Sequence, residues 1–552
     1  MTHAQLIGMT FTVFAGAVLA AISCAVVPGA RADSSEPKTY HEGMPALRTQ
    51  GNAVQLIVDG KPFLMLGGEV SNSSSSSLNY MTKIWTHMND LHANTVLTPV
   101  SWELIEPQEG TFDFSSVDGL IQGARKHKLH LVLLWMASWK NGMSSYQPLW
   151  VKQDYKRFPR AQRQDGTPMQ VLSTLSQNNT NADANAFSAL MRHLREYDQH
   201  DHTVLMVQVE NEVGILGDSR DRSEAANSAY NGQVPSELMN YLVKNEESLT
   251  PEFHDLWLKA GHKTSGTWED VFGTGVRTDE IFMAWHYARY IDQIAAAGKS
   301  EYPIPLYVNA WLNDPMDAKP GNYPSGCPES HVMDVWLAGA PHIDLLAPDL
   351  YAGNFAERCD LYTRRGNTLF IPEMNSDAGG AHYIFVAIGK YHALGTSPFG
   401  IDHTPADGPF SQSYNLLAQI SSVLLEHQGI NASTGFVLDT EHPSIVCTMG
   451  DYEVTITLDS LFGHTASSGY GIVLQTGPND FLGAGSGFRV AFRPLTPGPR
   501  YAGIGAVDEG VFTDGQWTPG RRLNGDETDQ GNGWRFSAFQ ANIEKCTVYR
   551  YE

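Results

Sequence analysis

Two glutamates, each at the end of an apolar run, are the residues whose type and spacing point most directly to chemistry. Glu212 follows the run Val204–Val209, and Glu373 follows Leu369–Pro372. Cleavage of a glycosidic bond with retention needs two carboxyl groups ~5–5.5 Å apart, one as nucleophile and one as acid/base. The pattern predicts Glu212 as the acid/base and Glu373 as the nucleophile. The alternative is that both are ordinary polar residues where a strand meets its loop.

Other polar and aromatic residues also follow apolar runs, where they are suited to bind ring hydroxyls or to stack on a sugar face. A structural hydrogen bond or a core position is the alternative interpretation for each of them. Further strand-end residues of the same kind are Asn309 and Asp349. The predicted substrate contacts are Asn211, Glu69, Asn72, Trp102, Glu103, Trp135, Asn141, Trp311 and Tyr351.

These residues need a scaffold that brings several strand ends together. Short apolar runs alternate with longer helical stretches, which predicts a (β/α)8 TIM barrel over residues 33–430, in the α/β class. Active sites of such barrels lie at the C-terminal ends of the strands. The eight predicted strands are Phe63–Gly68, Asn94–Val100, Leu129–Trp135, Val204–Glu210, Ile304–Ala310, Ile343–Leu350, Leu369–Pro372 and Pro398–Ile401.

After about Asn431 the helical periodicity stops, and short alternating segments separated by Gly and Pro take its place. This pattern predicts an all-β, sandwich-like C-terminal domain over residues 431–552. No row of exposed aromatic residues stands out in it, which favours a structural role over polysaccharide binding.

The first 32 residues have the pattern of a signal peptide. Leu6–Val27 is almost free of charge, and Ala30-Arg31-Ala32 supplies a small-x-small cleavage site. We therefore expect an exported protein, periplasmic or extracellular. An uncleaved anchor helix is the alternative.

The overall charge of the chain argues against some classes of binding partner. The formal net charge is −23 and the sequence pI is about 5.2. So acidic a surface repels nucleic acids and anionic lipids but not a neutral carbohydrate. We expect no metal and no cofactor. No HExxH motif or CxxC pair is present, and retaining hydrolysis requires neither a metal nor a cofactor. The four cysteines after the signal segment are either paired or free thiols.

Two segments of the sequence have the form of sequence motifs: residues 94–107 read NTVLTPVSWELIEP, and residues 208–214 read QVENEVG. They resemble the second-strand motif NTVxTYVxWNxHEP and the acid/base motif QxENEYG of the β-galactosidases of glycoside hydrolase family 35. The resemblance implies that Glu212 is the acid/base, that Asn211 is a sugar contact and that Glu373 is the nucleophile. Residues 139–145, WKNGMSS, and the Gly-rich segment from about residue 431 resemble a bacterial branch of the family with a distinctive C-terminal domain, some members of which act on galactosylated plant polysaccharides such as xyloglucan.

Four departures from the family pattern concern the sugar pocket. Pro99 replaces a Tyr that contacts the sugar, Glu103 stands where Asn is usual, and Val213 replaces an aromatic residue. The third-strand motif, which normally supplies a Glu, reads Trp139-Lys140-Asn141. We therefore expect a retaining exo-β-galactosidase that releases terminal galactose. The alternatives are a retaining β-glycosidase for another sugar, an endo-acting enzyme or a non-catalytic carbohydrate-binding protein.

Overall fold

Strands and helices alternate from residue 46 to residue 427 in the computed structural model, which describes residues 43–351, 353–461 and 463–552. The predicted signal peptide, residues 1–32, lies outside the described residues. The strands up to residue 396 are β1 (Ala46–Gln50), β2 (Ala53–Val58), β3 (Lys61–Phe63), β4 (Met65–Glu69), β5 (Thr95–Ser101), β6 (His130–Lys140), β7 (Arg160–Gln162), β8 (Pro168–Leu172), β9 (Val204–Asn211), β10 (Leu306–Trp311), β11 (Leu345–Asp349) and β12 (Gly395–Thr396).

The α-helices are amphipathic elements that cover this sheet. Helix α1, for example, begins after Ser77, whose side chain accepts a hydrogen bond from the Tyr80 N–H, and buries one apolar stripe. The helices are α1 (Leu78–Asp90), α2 (Trp102–Ile105), α3 (Ser115–Lys126), α4 (Leu149–Gln153), α5 (Gln177–Asp198), α6 (Glu224–Tyr230), α7 (Ser236–Lys244), α8 (Pro251–Lys259), α9 (Trp268–Phe272), α10 (Val276–Glu301), α11 (Met333–Gly339), α12 (Phe355–Tyr362), α13 (Ala378–Gly389) and α14 (Pro409–His427). None of the helices in the described ranges is both long and apolar enough to cross a bilayer.

The parallel sheet forms a TIM barrel, which confirms the predicted fold class. Its strand order is β11-β10-β9-β6-β5-β4-β12. Residues 369–374 take the remaining place, because Met374 bridges Leu350 and Ile371 bridges Thr396, both in parallel. The side chains inside the barrel are apolar and include those of Leu97, Leu134 and Phe370.

The eighth strand lies earlier than predicted. It is the two-residue strand β12, whereas a 3-10 turn over residues 401–403 begins at the last residue of the predicted segment. Pro398 has no N–H to donate, and after β12 the pairing with β4 persists only as single contacts: the Glu69 N–H donates to the Pro398 carbonyl at 3.0 Å, and Phe399 forms an isolated parallel bridge with Glu69. Ile401 is nevertheless buried, packing against Gly68 of β4 from the turn. The prediction of a strand at Pro398–Ile401 was therefore wrong.

Antiparallel strands follow the barrel and confirm the predicted all-β region. They are β13 (Ser433–Asp439), β14 (Ser444–Met449), β15 (Tyr452–Leu458), β16 (Ser460–Leu461), β17 (His464–Thr465), β18 (Ser468–Gln475), β19 (Asp480–Ser486), β20 (Phe488–Pro494), β21 (Tyr501–Thr513), β22 (Gln516–Leu523), β23 (Trp534–Phe536) and β24 (Asn542–Tyr551).

Two of the C-terminal sheets face each other as a sandwich. The six-stranded sheet has the order β13-β18-β19-β24-β21-β22, and the four-stranded sheet has the order β14-β15-β20-β23. Val454, Phe488 and Trp534 lie in the core between them. The six-stranded sheet also contacts the barrel helices, since the Phe512 N–H donates to Gln419 Oε1 of α14 at 3.2 Å. Cys327, Cys359, Cys447 and Cys546 are free thiols.

Candidate active site

A cavity of about 560 Å³ lies at the C-terminal ends of the barrel strands. Its walls come from the C-terminal ends of seven of the eight strand positions and the loops that follow them, as expected for a TIM-barrel site. Both predicted catalytic glutamates line it. The lining residues are Asn72, Lys140, Asn141, Glu212, Trp311, Leu312, Asp314, Asp349, Tyr351, Glu373 and Phe399.

Glu212 lies on an unusual stretch of backbone directly after β9. Its φ is +44° and that of Glu210 is +63°, both in the left-handed region that non-glycine residues rarely adopt. The neighbouring strands stabilise this conformation, because the Glu212 N–H donates to Asn309 Oδ1 at 2.9 Å and its carbonyl accepts from Gly142 N–H at 3.0 Å. The Asn141 amide donates to the Glu212 carboxylate. Strained backbone of this kind concentrates at functional sites.

Glu210 anchors the end of β6 beside Glu212. Its buried carboxylate accepts from the N–H groups of Ala137, Ser138 and Trp139, the last at 2.8 Å. Burial and then the nearby Asp183 carboxyl raise the pKa of Glu210 well above its usual value. Glu210 therefore has a structural role: it fixes the position of the segment that carries Lys140 and Asn141.

Glu373 is held by three donors from different strand ends. Tyr351 Oη donates to Oε2 at 2.8 Å, and the side-chain amide of Asn211 donates to Oε1 at 3.2 Å. A longer contact of 3.4 Å joins Asn309 Nδ2 to the same Oε1. The carboxylate is only 4% exposed, so its orientation is fixed by these contacts.

The two catalytic candidates face each other at short range, together with a third carboxyl group. One oxygen each of Glu212, Asp349 and Glu373 lie within 4.8 Å of one another. Burial and then the charge of Glu373 raise the pKa of Glu212 to about 8. Burial and the charges of Glu373 and Glu212 raise the pKa of Asp349 well above its usual value. With a pKa of about 8, Glu212 carries its proton at neutral pH, as a general acid requires.

Lys140 is the cation of the site. It is 7% exposed and lines the cavity. Burial lowers its pKa, but the charges of Glu373, Glu212, Glu69 and Asp349 outweigh that effect, and the net pKa lies above the usual value. The sequence showed Lys140 only as a departure from the family motif, and it was not among the predicted contacts.

Several buried oxygen atoms near the cavity have no hydrogen-bond partner among the described residues. They are both carboxylate oxygens of Glu69, Asn72 Oδ1, Asn211 Oδ1 and Asp349 Oδ1. Burial, and then the charge of Glu373, raises the pKa of Glu69 well above its usual value. The two amide oxygens accept hydrogen bonds, and a carboxyl group with a raised pKa can donate as well as accept, so a ligand rich in hydroxyl groups fits these atoms.

Three predicted sugar contacts lie away from the cavity. Trp102 and Trp135 are fully buried, with indole N–H groups that donate to Glu106 at 2.8 Å and to Asp183 at 2.9 Å. Glu103 forms an ion pair with Lys152 at 3.2 Å. Trp102 and Glu103 begin α2 directly after β5, as expected for a strand end, whereas Trp135 lies in the middle of β6. Their side chains face the core or the outer loop, so they do not fit the predicted role.

The remaining predicted contacts are brought together. Asn72, Asn141, Trp311 and Tyr351 line the cavity, and Asn211 binds Glu373. Trp311 is 38% exposed, which leaves its ring accessible. Glu69 lies next to the cavity, close enough for its charge to interact with Glu373 and Lys140.

The carboxyl triad formed by Glu212, Asp349 and Glu373 is also the one group in the described ranges whose ligand atoms are spaced for a metal ion. Lys140 already neutralises part of its charge, and the raised pKa values of Glu212 and Asp349 favour protons there. An ion at this position would lie between the two catalytic candidates, so the triad is better suited to acid–base chemistry than to holding a metal.

Two family models match parts of the chain. Residues 73–280 match the family Glyco_hydro_42, described as β-galactosidase, and residues 410–535 match a domain of unknown function, DUF5597. A β-galactosidase from Xanthomonas manihotis is 34% identical over 95 residues, which are 17% of this chain and 15% of that relative. Two of these matches are to β-galactosidases, and none of them identifies family 35 in particular.

Solved structures with a similar barrel include other glycosidases. For the β-galactosidase from Bacillus circulans sp. alkalophilus, the TM-score is 0.45 with 14% identity, covering 66% of this chain and 57% of that one. For the endo-1,4-β-mannanase from Rhizomucor miehei the TM-score is 0.39 with 12% identity, covering 64% and 89%. The chain thus spans about 15% of the curated relative and about 57% of that solved β-galactosidase.

Proposed function

We propose that the protein is a retaining, exo-acting β-galactosidase that releases terminal β-linked galactose. The observation that carries the proposal is the separation of Glu212 and Glu373, whose nearest carboxylate oxygens lie within 4.8 Å. Inverting glycosidases hold their carboxyl groups ~6.5–9.5 Å apart to admit a water, whereas retaining ones keep them ~5–5.5 Å apart. The short distance supports attack by a carboxylate rather than by water.

The contacts of each glutamate support the roles that the sequence predicts. Glu373, held by Tyr351 and Asn211, attacks the anomeric carbon, while the protonated Glu212 transfers its proton to the leaving oxygen. The galactosyl–Glu373 ester forms as the glycosidic C–O bond breaks. Glu212, now ionised, removes a proton from water, and the oxygen of that water displaces Glu373.

The pocket supports exo action on galactose. Trp311 is the most exposed tryptophan in the described part of the chain, and it lines a single cavity rather than a row of subsites. Galactose rests on the β-galactosidase family match over residues 73–280. Side chains of plant polysaccharides such as xyloglucan are the substrate suggested by the resemblance to family 35. Export to the periplasm or the outside rests on the N-terminal sequence alone.

A panel of p-nitrophenyl glycosides tests the reaction and the sugar together. We expect hydrolysis of the β-galactoside, its loss in Glu373→Gly, and restoration by azide with α-galactosyl azide as the product. Azide then takes the space of the missing carboxylate. Glu103→Gln, which removes a carboxylate outside the cavity, is the matched control and should retain activity.

Other outcomes separate the alternatives. Azide rescue on a different glycoside would retain the mechanism and reject galactose. Activity of Glu373→Gly without azide would reject Glu373 as the nucleophile. No hydrolysis of any aryl glycoside, and none of galactosylated xyloglucan, would reject the enzymatic proposal and favour a carbohydrate-binding protein.

A further inference from the structure

Phe539 is a fully exposed aromatic side chain in the C-terminal β-region. It is 100% exposed, at the tip of the turn between β23 and β24. The turn is fixed locally, since the Phe539 N–H donates to Ser537 Oγ at 3.2 Å. Burying such a ring is favourable by roughly 1.5–3 kcal/mol, so a fully exposed phenyl ring on this turn is suited to contact a ligand.

Phe539 forms a ridge between two clefts and lines both of them. The first cleft, of about 450 Å³, is lined by Gln412 and Asn415 of α14, by Ser468 and by Tyr470. The second, of about 630 Å³, is lined by residues of β21, β22 and β24 and by the turn before β24. Residues 538–540 line both clefts, so one extended ligand can contact both across the ring.

The second cleft contains fixed polar groups rather than free charges. Arg521 forms a two-point ion pair with Glu509, with contacts of 3.2 and 2.7 Å. Asn542 donates to the same Glu509 at 3.4 Å. Glu544, 1% exposed, accepts from Trp534 Nε1 at 2.8 Å and also lines the cleft. Several of the donors and acceptors are therefore already oriented before a ligand arrives.

The charge of this cleft excludes anionic ligands. Its lining carboxylates, apart from the buried Glu544, are Asp459, Glu509, Asp526 and Glu527, against the guanidinium groups of Arg521 and Arg535. Four negative charges against two positive charges leave an excess of two negative charges. None of these carboxylates belongs to a cluster spaced for a metal ion within the described residues. A neutral ligand with many hydroxyl groups fits, whereas a uronate, a phosphate or a nucleic acid does not.

We propose that the two clefts and the Phe539 ridge form a second carbohydrate-binding site, which takes a neutral polysaccharide chain and is separate from the catalytic cavity. The ring stacks on the apolar C–H face of one sugar, and the amide and carboxylate groups of the clefts bind the hydroxyls on either side. The proposal does not depend on hydrolysis, because it concerns binding by residues that do not line the catalytic cavity.

The site lies on the side of the molecule from which substrate enters. Gln412 and Asn415 belong to the first two turns of α14, the helix that follows strand β12. A helix that follows a barrel strand begins at the C-terminal face, where the catalytic cavity lies. A polymer held at Phe539 would therefore be concentrated on the same face as Glu212 and Glu373.

A second exposed aromatic group serves as the control. Tyr501 is 57% exposed on β21, and its ring centroid lies 5.5 Å from that of Tyr551. It lines neither cleft. Tyr501→Ala removes an exposed ring from the same domain, as Phe539→Ala does, without changing the proposed site.

Native gel electrophoresis of the full chain through soluble polysaccharide tests the proposal. Glu373→Gln is the parent, so that the polymer is not degraded, and the gels contain galactosylated xyloglucan or polygalacturonate. We expect retardation by xyloglucan alone, with a dissociation constant about tenfold higher after Phe539→Ala and unchanged after Tyr501→Ala. In the active background, Phe539→Ala should leave kcat/KM on p-nitrophenyl β-galactoside unchanged.

The other outcomes overturn the proposal. Equal retardation of the parent and Phe539→Ala, a loss caused by Tyr501→Ala, or retardation by polygalacturonate alone would each reject the Phe539 site. No retardation of the parent by xyloglucan would also reject it. Failure of aryl galactoside hydrolysis in the active chain, with Phe539-dependent retardation intact, would reject the proposed catalytic function and leave this site standing.

Discussion

The carboxylates of Glu212 and Glu373 approach within 4.8 Å of each other, although 160 residues separate them in the sequence. At this distance the negative charge of one opposes ionisation of the other. The effect is seen at Glu212. Burial and the charge of Glu373 raise its pKa to about 8. The geometry thus links the distance required for a retaining mechanism to the protonation state that the acid needs.

The pH dependence of activity follows from this raised pKa. Glu212 must be protonated to act as an acid, so kcat/KM should fall as the pH rises through about 8. Lys140 lowers the pKa of Glu212 through its positive charge. Lys140→Met should therefore shift the alkaline limb to higher pH in a profile measured with an aryl β-galactoside. Lys152→Met, outside the cavity, should not shift it, and an unmoved limb in Lys140→Met would contradict the assignment.

Tyr351 should contribute to the rate through its bond to Glu373. Tyr351→Phe removes the 2.8 Å hydrogen bond to Oε2 and leaves the ring in place. A hydrogen bond to a charged group contributes roughly 1.5–3 kcal/mol, so kcat/KM should fall by about 10- to 100-fold. Tyr155→Phe, on an exposed loop, is the control. A fall of less than about twofold would show that this contact does not support catalysis.

Replacing Trp311 should weaken substrate binding, whereas replacing Trp135 should lower stability. Trp311→Ala removes an accessible ring from the cavity wall, so KM should rise by about tenfold while Tm stays unchanged. Trp135→Phe removes the 2.9 Å hydrogen bond to buried Asp183. It should lower the free energy of unfolding by about 1–3 kcal/mol without changing KM. Thermal unfolding and initial rates measured side by side decide this, and the reverse pattern would refute it.

Glu69 should lower the stability of the folded protein while it supports substrate binding. Its folded-state pKa is raised, so the folded state is penalised relative to the unfolded state as the pH rises from about 4.5 toward the folded pKa. Glu69→Gln should therefore raise Tm, by about 1 °C or more at pH 8 and by less at pH 5. It should also lower kcat/KM by about tenfold, because its unpartnered oxygens are available to sugar hydroxyls. A Tm gain that is independent of pH would contradict the ionisation argument.

Much of the barrel and both catalytic candidates could be predicted because their signals are local. An apolar run followed by a polar residue marks a buried strand and the start of its loop, which located Glu212 and Glu373. The position of the eighth strand was predicted wrongly because the strand consists only of Gly395–Thr396, which is too short to give a sequence pattern. Close approach to β4 defines it instead, since a Cβ on Gly395 would lie 2.3 Å from the Met65 carbonyl.

Side-chain direction was the part that the sequence could not supply. Trp102 follows β5 as predicted, whereas Trp135 lies in the middle of β6, which continues to Lys140. Both side chains are buried, because tertiary packing decides whether a side chain near a strand end faces the core or the cavity. Lys140 and Asp349 belong to the site because the ends of different barrel strands converge there. This convergence brings both side chains within electrostatic reach of Glu212 and Glu373. The prediction of a structural C-terminal region rested on the lack of an aromatic row, and Phe539, a single exposed ring in the turn before β24, leaves no such row in the sequence.

The central claim, covalent catalysis by Glu373, is tested most directly by trapping the intermediate. A 2,4-dinitrophenyl 2-deoxy-2-fluoro-β-galactoside, which forms the glycosyl ester but hydrolyses it slowly, should inactivate the enzyme in step with release of one dinitrophenolate per chain. Peptide mass spectrometry should then find the fluorogalactosyl group on Glu373. A label on Asp349 or Glu212, or steady turnover with no labelled protein, would contradict the account.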